Sequence, residues 1–245
     1  AAERDIFSST NSKILEENIP SYLRDPENKW FGLSKRARTI VYSNDQFNDD
    51  DFSTYEDLAD PKWEGKLCLR TSKKVYNRSL MASMIDTYGF EKAKEVVTGW
   101  ISNLATEVFS NDTNALKAVS SGQCGLTIVN TYYLARLLDD PQYDNLTLFW
   151  ANQNDRGVHV NISGAGIVKT SKNKQAATLL LEYLSSEKAQ DFYASANKEY
   201  PVLDGAMVHE SIKDWGEFVE DNINVGKLGS LQKEAVFLAQ EVGYK

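Results

Sequence analysis

The residues that carry most metal and proton-transfer chemistry are scarce in this sequence. Only two histidines, His159 and His209, and two cysteines, Cys68 and Cys124, occur in 245 residues. Neither histidine lies in an HExxH spacing and there is no CxxC, so zinc sites and histidine-based acid–base catalysis lack their usual groups. The GxSxG elbow, the Walker loop and the GxGxxG fingerprint are missing too, and the short SGAG at 163–166 cannot cradle a pyrophosphate. No apolar run approaches the roughly 18–20 residues that span a bilayer as a helix. Positive charge is also in deficit: 27 Lys and Arg against 35 Asp and Glu leave a net charge of −8, the wrong sign for a phosphate backbone, which argues against nucleic acid as a partner. The basic residues form one cluster, Lys35-Arg36-Ala37-Arg38. The opening AAERDIF has neither an initiator Met nor a basic-then-apolar signal pattern, so a targeting segment is expected to have been removed or to lie outside this sequence.

What remains is an ordinary globular composition, without repeats or low-complexity tracts, at a length that favours two lobes over one. Helix-like and strand-like segments alternate, which predicts an α/β architecture with a parallel or mixed sheet. Ser53-Thr54-Tyr55-Glu56 has the form of a capping box and opens a short helix that stops before Pro61. KLCLRTS reads as a strand, 79–88 and 91–104 as helices, and 112–121 as a helix stopped by Gly122. GLTIVN is the next strand, TYYLARLL a helix, NLTLFW a strand, and HVNISGAGIVK a strand that passes close to other backbone. Helices are expected over 173–185, 186–197, 214–222 and 230–242. Cys68 and Cys124 both lie in strand-like runs of the same half. A disulfide, implying an oxidising compartment, and two buried thiols are both open readings. TIVYSND and VNISGAGIVK look like crossings between lobes, as in proteins that hold a ligand between two halves.

Chemistry is left to tyrosine. In NTYYLARLL, Tyr132 and Tyr133 sit where a strand hands over to a helix, and neighbouring helix positions point roughly 100° apart, so both rings cannot pack on one face. With Asn130 or Thr131 as N-cap, the pair lies at the positive end of the helix dipole, which favours a phenolate. Tyr76, in RTSKKVYNRSL, follows another strand end, and α/β sheets collect ligands at such ends. Taken singly, each tyrosine reads as an ordinary packing residue. Taken together, three phenols with pKa values near 10 make sense only beside a hard cation that offsets the cost of ionising them. Without Cys or His donors zinc and copper fit poorly, and calcium or magnesium would call for carboxylates, so the set points to a trivalent ion such as ferric iron.

At these residues the sequence resembles the ferric-iron-binding solute-binding proteins of bacterial ABC transporters, which have the type II periplasmic-binding-protein fold. The resemblance runs through RDPENKWFGLSKRARTIVY, TYEDLADPKWEGKLCLRTS, VYNRSLMASMI, ALKAVSSGQCGLTIVNTYYLARLL, NQNDRGVHVNISGAGIVK and LLEYLSSEKAQDFYASANKEYPV, with IVNTYY and VYNRSL its most specific parts. It implies a two-lobed α/β fold with hinge strands, a first lobe over 1–38 and 157–206, and a second lobe over 39–156 and 207–245 that carries the tyrosines. It further implies Tyr76, Tyr132 and Tyr133 as iron ligands in an interlobe cleft, and Arg36 and Arg38 as candidates to hold carbonate or another synergistic anion. Fe3+ is then cargo for a permease in the inner membrane, and the chain is a periplasmic monomer, not an enzyme. Family members begin with a strand and helix for which AAERDIFSSTNSKILEENIP has no counterpart, so the resemblance implies an incomplete first lobe. Two rivals stand beside this reading: a binder of an oxyanion or polyamine on the same fold, and an interaction or sensor module that no longer transports.

Overall fold

The computed structural model of the chain describes residues 5–245; Ala1–Arg4, the start of AAERDIF, lie outside the described residues. In chain order the elements are α1 (Lys13–Asn18), β1 (Phe31–Ser43), β2 (Leu67–Cys68), α2 (Val75–Tyr88), α3 (Phe90–Ser102), α4 (Asp112–Ser120), β3 (Leu126–Asn130), α5 (Thr131–Ala135), β4 (Leu146–Phe149) and β5 (Val160–Ala165). Five helices follow: α6 (Lys174–Leu184), α7 (Glu187–Asn197), α8 (Glu210–Lys213), α9 (Val225–Ser230) and α10 (Gln232–Glu241). Side-chain caps begin several of them. Ser12 accepts the Leu15 N–H ahead of α1, and Asn111 accepts the Asn114 N–H ahead of α4, each satisfying a donor that the helix itself leaves open.

The chain divides into two units. The first holds the residues up to Arg36, Asn161–Asp214 and Ile223–Gly226; the second holds Ala37–Val160, Trp215–Asn222 and Lys227–Lys245. Strands β1 and β5 each begin in one unit and end in the other. Residues 207–214 and 223–226, which the sequence reading gives to the second lobe, group with the first unit.

In the first unit β5 pairs with β1, and Lys35 and Tyr200 exchange backbone hydrogen bonds of 2.8 Å. Leu15, Leu23, Phe31, Leu33 and Leu181 are among its buried apolar residues. Gln190 is fully buried yet satisfied, donating to the carbonyls of Leu33 and Leu184 and accepting from the Val202 N–H. At Gly164 a Cβ would lie 2.6 Å from the Phe31 carbonyl oxygen, the close backbone approach that the small residues of NISGAG predict.

The second unit is built on a mixed sheet in the order β2-β3-β1-β4. Strands β2 and β3 run parallel, and β1 is antiparallel to both β3 and β4. The register sets Arg38 opposite Asn130, so their side chains leave the sheet on the same face. Helix α2 packs with α3 and α10, and its stretch Ser79–Ile85 is buried throughout, which marks a core helix rather than an amphipathic surface one. It stops at Gly89, whose φ of 83° and N–H to the Ile85 carbonyl close the last turn.

Several local expectations change. Helix α2 starts at Val75, four residues earlier than read, so Tyr76 lies in its first turn and not in the preceding loop. Helix α5 is only five residues long. The capping box at Ser53 gives way to a 3-10 turn at Glu56–Ala59, with Thr54 Oγ1 accepting the Asp57 N–H. Residues 214–222 are not a helix: the Val158 N–H donates to the Val219 carbonyl and the Asp221 N–H to the Val158 carbonyl, and Gly157 meets the same segment at a distance a Cβ could not tolerate.

Cys68 and Cys124 are joined in a disulfide, with Cα atoms 5.9 Å apart, which settles the open alternative in favour of the bond. Both half-cystines are buried in a cluster with Val41, Leu116, Val119, Val129 and Leu134, beneath the strand end that carries the tyrosine pair. The bond spans 56 residues. By chain entropy, closing such a loop stabilises the fold by about 4 kcal/mol. The Cys68→Ser, Cys124→Ser double variant is therefore expected to lose roughly 2–4 kcal/mol in urea unfolding; a loss within experimental error would contradict the bond as a structural staple.

Candidate metal centre

Tyr76 stands in the first turn of α2, and Tyr132 and Tyr133 are the second and third residues of α5, directly after β3. The structure brings all three together in the second unit. The hydroxyls of Tyr76 and Tyr132 are 3.5 Å apart, and the rings of Tyr132 and Tyr133 lie 4.2 Å apart at 31°. As expected for adjacent helix positions, one face does not bury both rings, although the two remain in contact. Tyr132 is buried, whereas Tyr76 and Tyr133 are partly exposed. Oxygens bound to one cation about 2.0–2.2 Å away are separated by roughly 3 Å when adjacent and about 4 Å when opposite. The 3.5 Å gap falls inside that span, and marks a long, weak hydrogen bond between the two hydroxyls.

The tyrosines rest on a buried charged network. Arg38 has no exposed surface, and its five N–H donors are all used. Nε and Nη2 donate to Asn77 Oδ1, Nη1 to Asp112 Oδ2 and Asn130 Oδ1, and Nη2 to the Ile128 carbonyl. Asp112 Oδ2 also accepts the Asn130 N–H at 3.1 Å, while its Oδ1 lies 3.2 Å from Arg70 Nη1. Asn77 is fixed from the other side. Its amide donates to the Arg70 carbonyl at 2.9 Å and to the Tyr244 hydroxyl at 2.6 Å, and that hydroxyl in turn donates to the Arg70 carbonyl. Asp112 is the first residue of α4, where a carboxylate is favoured by the helix dipole.

The guanidinium of Arg70 lies 5.1 Å from the Tyr76 ring centroid, and that of Arg136 lies 4.7 Å from the Tyr132 ring centroid. Neither arginine was singled out in the sequence. Arg136 had a signal, since it stands four residues after Tyr132 on the same short element. The fork of Arg38, with Asn77, Asp112 and Asn130, carries no motif; only the strand register reveals it. Of the two proposed anion-binding arginines, Arg38 would have to break one of its five bonds to meet an anion, and Arg36 ends the first of the three stretches that make up the first unit.

Burial pushes the Tyr132 phenol well above its ordinary pKa of 10.0, and hydrogen bonding with Tyr133 and Tyr76 adds to the shift. The helix-dipole expectation of a ready phenolate is thus corrected: one turn of helix gives a weak field, and desolvation outweighs it. Burial, with Arg156 and Arg38 nearby, depresses His159 to about 3, so its imidazole stays neutral and adds no charge behind the site. Among the described residues no group of three His, Cys, Asp or Glu side chains could hold a metal ion.

A model of the bacterial extracellular solute-binding protein family matches residues 1–219. The chain belongs to this family. It is 45% identical to the curated Iron uptake protein A1 of Synechocystis over 251 aligned positions, which cover all of this chain and 70% of that protein. Among solved structures, the Trichodesmium protein IdiA (FutA) in complex with iron and citrate ligands is 42% identical, with a TM-score of 0.97 over 100% of this chain and 79% of that one. The open form of ferric iron-binding protein A from Mannheimia haemolytica is 39% identical, with a TM-score of 0.93 over 99% of this chain and 78% of that one. The two-lobed α/β fold expected from the sequence is the fold of these solute-binding neighbours.

For this solute-binding chain without metal, Tyr132 is expected to remain a neutral phenol at pH 10, since its pKa is displaced upward. Phenolate absorbance at that pH should be the same in wild type and in Tyr132→Phe; a smaller signal in the variant would show that Tyr132 ionises unaided.

Proposed function

We propose that this chain binds ferric iron through the phenolates of Tyr76, Tyr132 and Tyr133 and delivers it to an ABC-type permease in the inner membrane. The observation that carries the reading is the convergence of three phenols on one place, with Tyr76 and Tyr132 oxygens 3.5 Å apart, while the described residues hold no group of three His, Cys, Asp or Glu that could compete for the ion. Three phenolates balance the charge of a ferric ion, and a hard trivalent cation supplies the field needed to deprotonate a phenol that burial keeps neutral. Relatives named for iron uptake and a neighbour solved with iron and citrate support the same reading.

Coordination positions beyond the three oxygens are left for carbonate or another synergistic anion. Arg36 and Arg38 are the arginine candidates to hold it, and Arg38 would have to give up a network bond to do so. The disulfide and the name of a relative from Serratia marcescens, the Fe(3+)-binding periplasmic protein at 24% identity, support a periplasmic location. The chain acts as a monomeric carrier rather than an enzyme: its tyrosines bind and release an ion without making or breaking covalent bonds in it.

Protons and iron compete for the same oxygens. Binding should weaken as pH falls, by roughly tenfold per pH unit for each phenol proton displaced. Titration with ferric citrate is expected to raise a visible phenolate-to-iron charge-transfer band that fades on acidification and is absent from the Tyr132→Phe, Tyr133→Phe double variant. A colourless complex, or iron affinity unchanged in that variant, would overturn the reading.

A further inference from the structure

We propose that Arg38 is the positioning residue of the ferric site: one buried guanidinium ties the helix bearing Tyr76 to the strand end bearing Tyr132 and Tyr133, setting the spacing of their oxygens before iron arrives. The inference rests on the ferric reading above and concerns a residue that touches neither iron nor phenol oxygen. Tyr76 and Tyr132 come from separate segments, one after β2 and one after β3, and a metal site needs their oxygens held to a fraction of an ångström.

The geometry supplies the tie. Arg38 Nε is 3.0 Å from Asn77 Oδ1, next in sequence to Tyr76, and Nη1 is 3.0 Å from Asn130 Oδ1, two residues before Tyr132. A third bond, 2.9 Å to the Ile128 carbonyl, fixes β3 itself. The guanidinium is planar and its donors have fixed directions, so these three anchors are set relative to one another by covalent geometry. A lysine at this place has one tetrahedral ammonium and cannot reach them all.

A second path closes the circuit. Asp112 bridges Arg38 and Arg70 at 3.0 and 3.2 Å, and the Arg70 guanidinium lies over the Tyr76 ring. Two guanidinium charges against one carboxylate leave a net charge of +1 in the buried network. That charge stands behind the place where three phenolates must form, and favours them. Buried ion pairs are poor stabilisers compared with well-packed apolar residues, so their presence in a strand core is accounted for by the geometry they impose.

The test measures ferric retention against a citrate series, the charge-transfer maximum and the metal-free Tm in wild type and three variants. Arg38→Lys keeps the charge but loses the fork, and is expected to weaken retention at least tenfold and shift the band. Asn130→Ser removes a single anchor while Arg38 keeps Asp112, Asn77 and Ile128, and should weaken retention about threefold. Leu58→Ala, a buried core change in the turn packed on α3, serves as the control: it should lower the Tm as much or more while leaving retention and band at wild-type values. Arg38→Lys that binds like wild type, or Leu58→Ala that loses as much affinity, overturns the inference. If Arg38→Lys does not fold, Asn130→Ser decides alone, and wild-type retention in it overturns the inference. A wild type without the band overturns the ferric reading and this inference with it; a wild-type band with unaffected variants overturns this inference only.

Discussion

A guanidinium with no contact to water is tolerated only where its protons are matched by acceptors, and Arg38 meets that demand by drawing on four elements at once. Strand β1 carries it, β3 gives Asn130 and the Ile128 carbonyl, α2 gives Asn77, and α4 gives Asp112. The demand explains features that would otherwise look unrelated. The β1–β3 register must place residue 38 against residue 130, the first residue of α4 must be acidic, and Tyr244 near the end of the chain must reach Asn77. The disulfide under β3 acts on the same strand end by tying β2 to the segment that enters it. The tyrosines thus stand on a scaffold whose parts are fixed by charge compensation and covalent closure as well as by apolar packing.

Burial, with hydrogen bonding to Tyr133 and Tyr76, disfavours the phenolate of Tyr132. A trivalent hard ion is the ligand best able to reverse that balance. On the proposed ferric reading, acid offers a way to release the ion, since protons would compete with iron for the same oxygens. Membership of the extracellular solute-binding family is consistent with the proposed reading, in which capture and release are equilibrium events.

Much of this was legible in the sequence, and the failures have identifiable causes. The alternation of strands and helices located β2, β3, β4 and β5 because apolar runs bounded by turn residues are strong signals, whereas only the second half of β1, TIVYSND, was legible, as an extended crossing. The tyrosine pair stood out because adjacent aromatic residues at a strand end have no simple packing explanation. The start of α2 was placed too late because the polar Lys73 and Lys74 look like loop, and no capping side chain marks Val75. The supposed helix at 214–222 failed because tertiary pairing of its backbone with residues 157–158 overrode a weak helical pattern. Arg38 is a candidate anion holder through the family resemblance and the strand face it shares with Arg36; its complete burial depends on strand register, which no local pattern encodes. Arg70 was likewise invisible, since its place over Tyr76 follows from the path of the chain between β2 and α2.

The central claim is that one ferric ion sits among the oxygens of Tyr76, Tyr132 and Tyr133. It is tested most directly by a crystal of the iron-loaded protein with anomalous diffraction collected at the iron edge. The account predicts a single strong peak within coordination distance of all three phenol oxygens, with the Arg38 network unchanged behind it. An iron peak elsewhere on the chain, or one that leaves any of the three tyrosines uncoordinated, would contradict it.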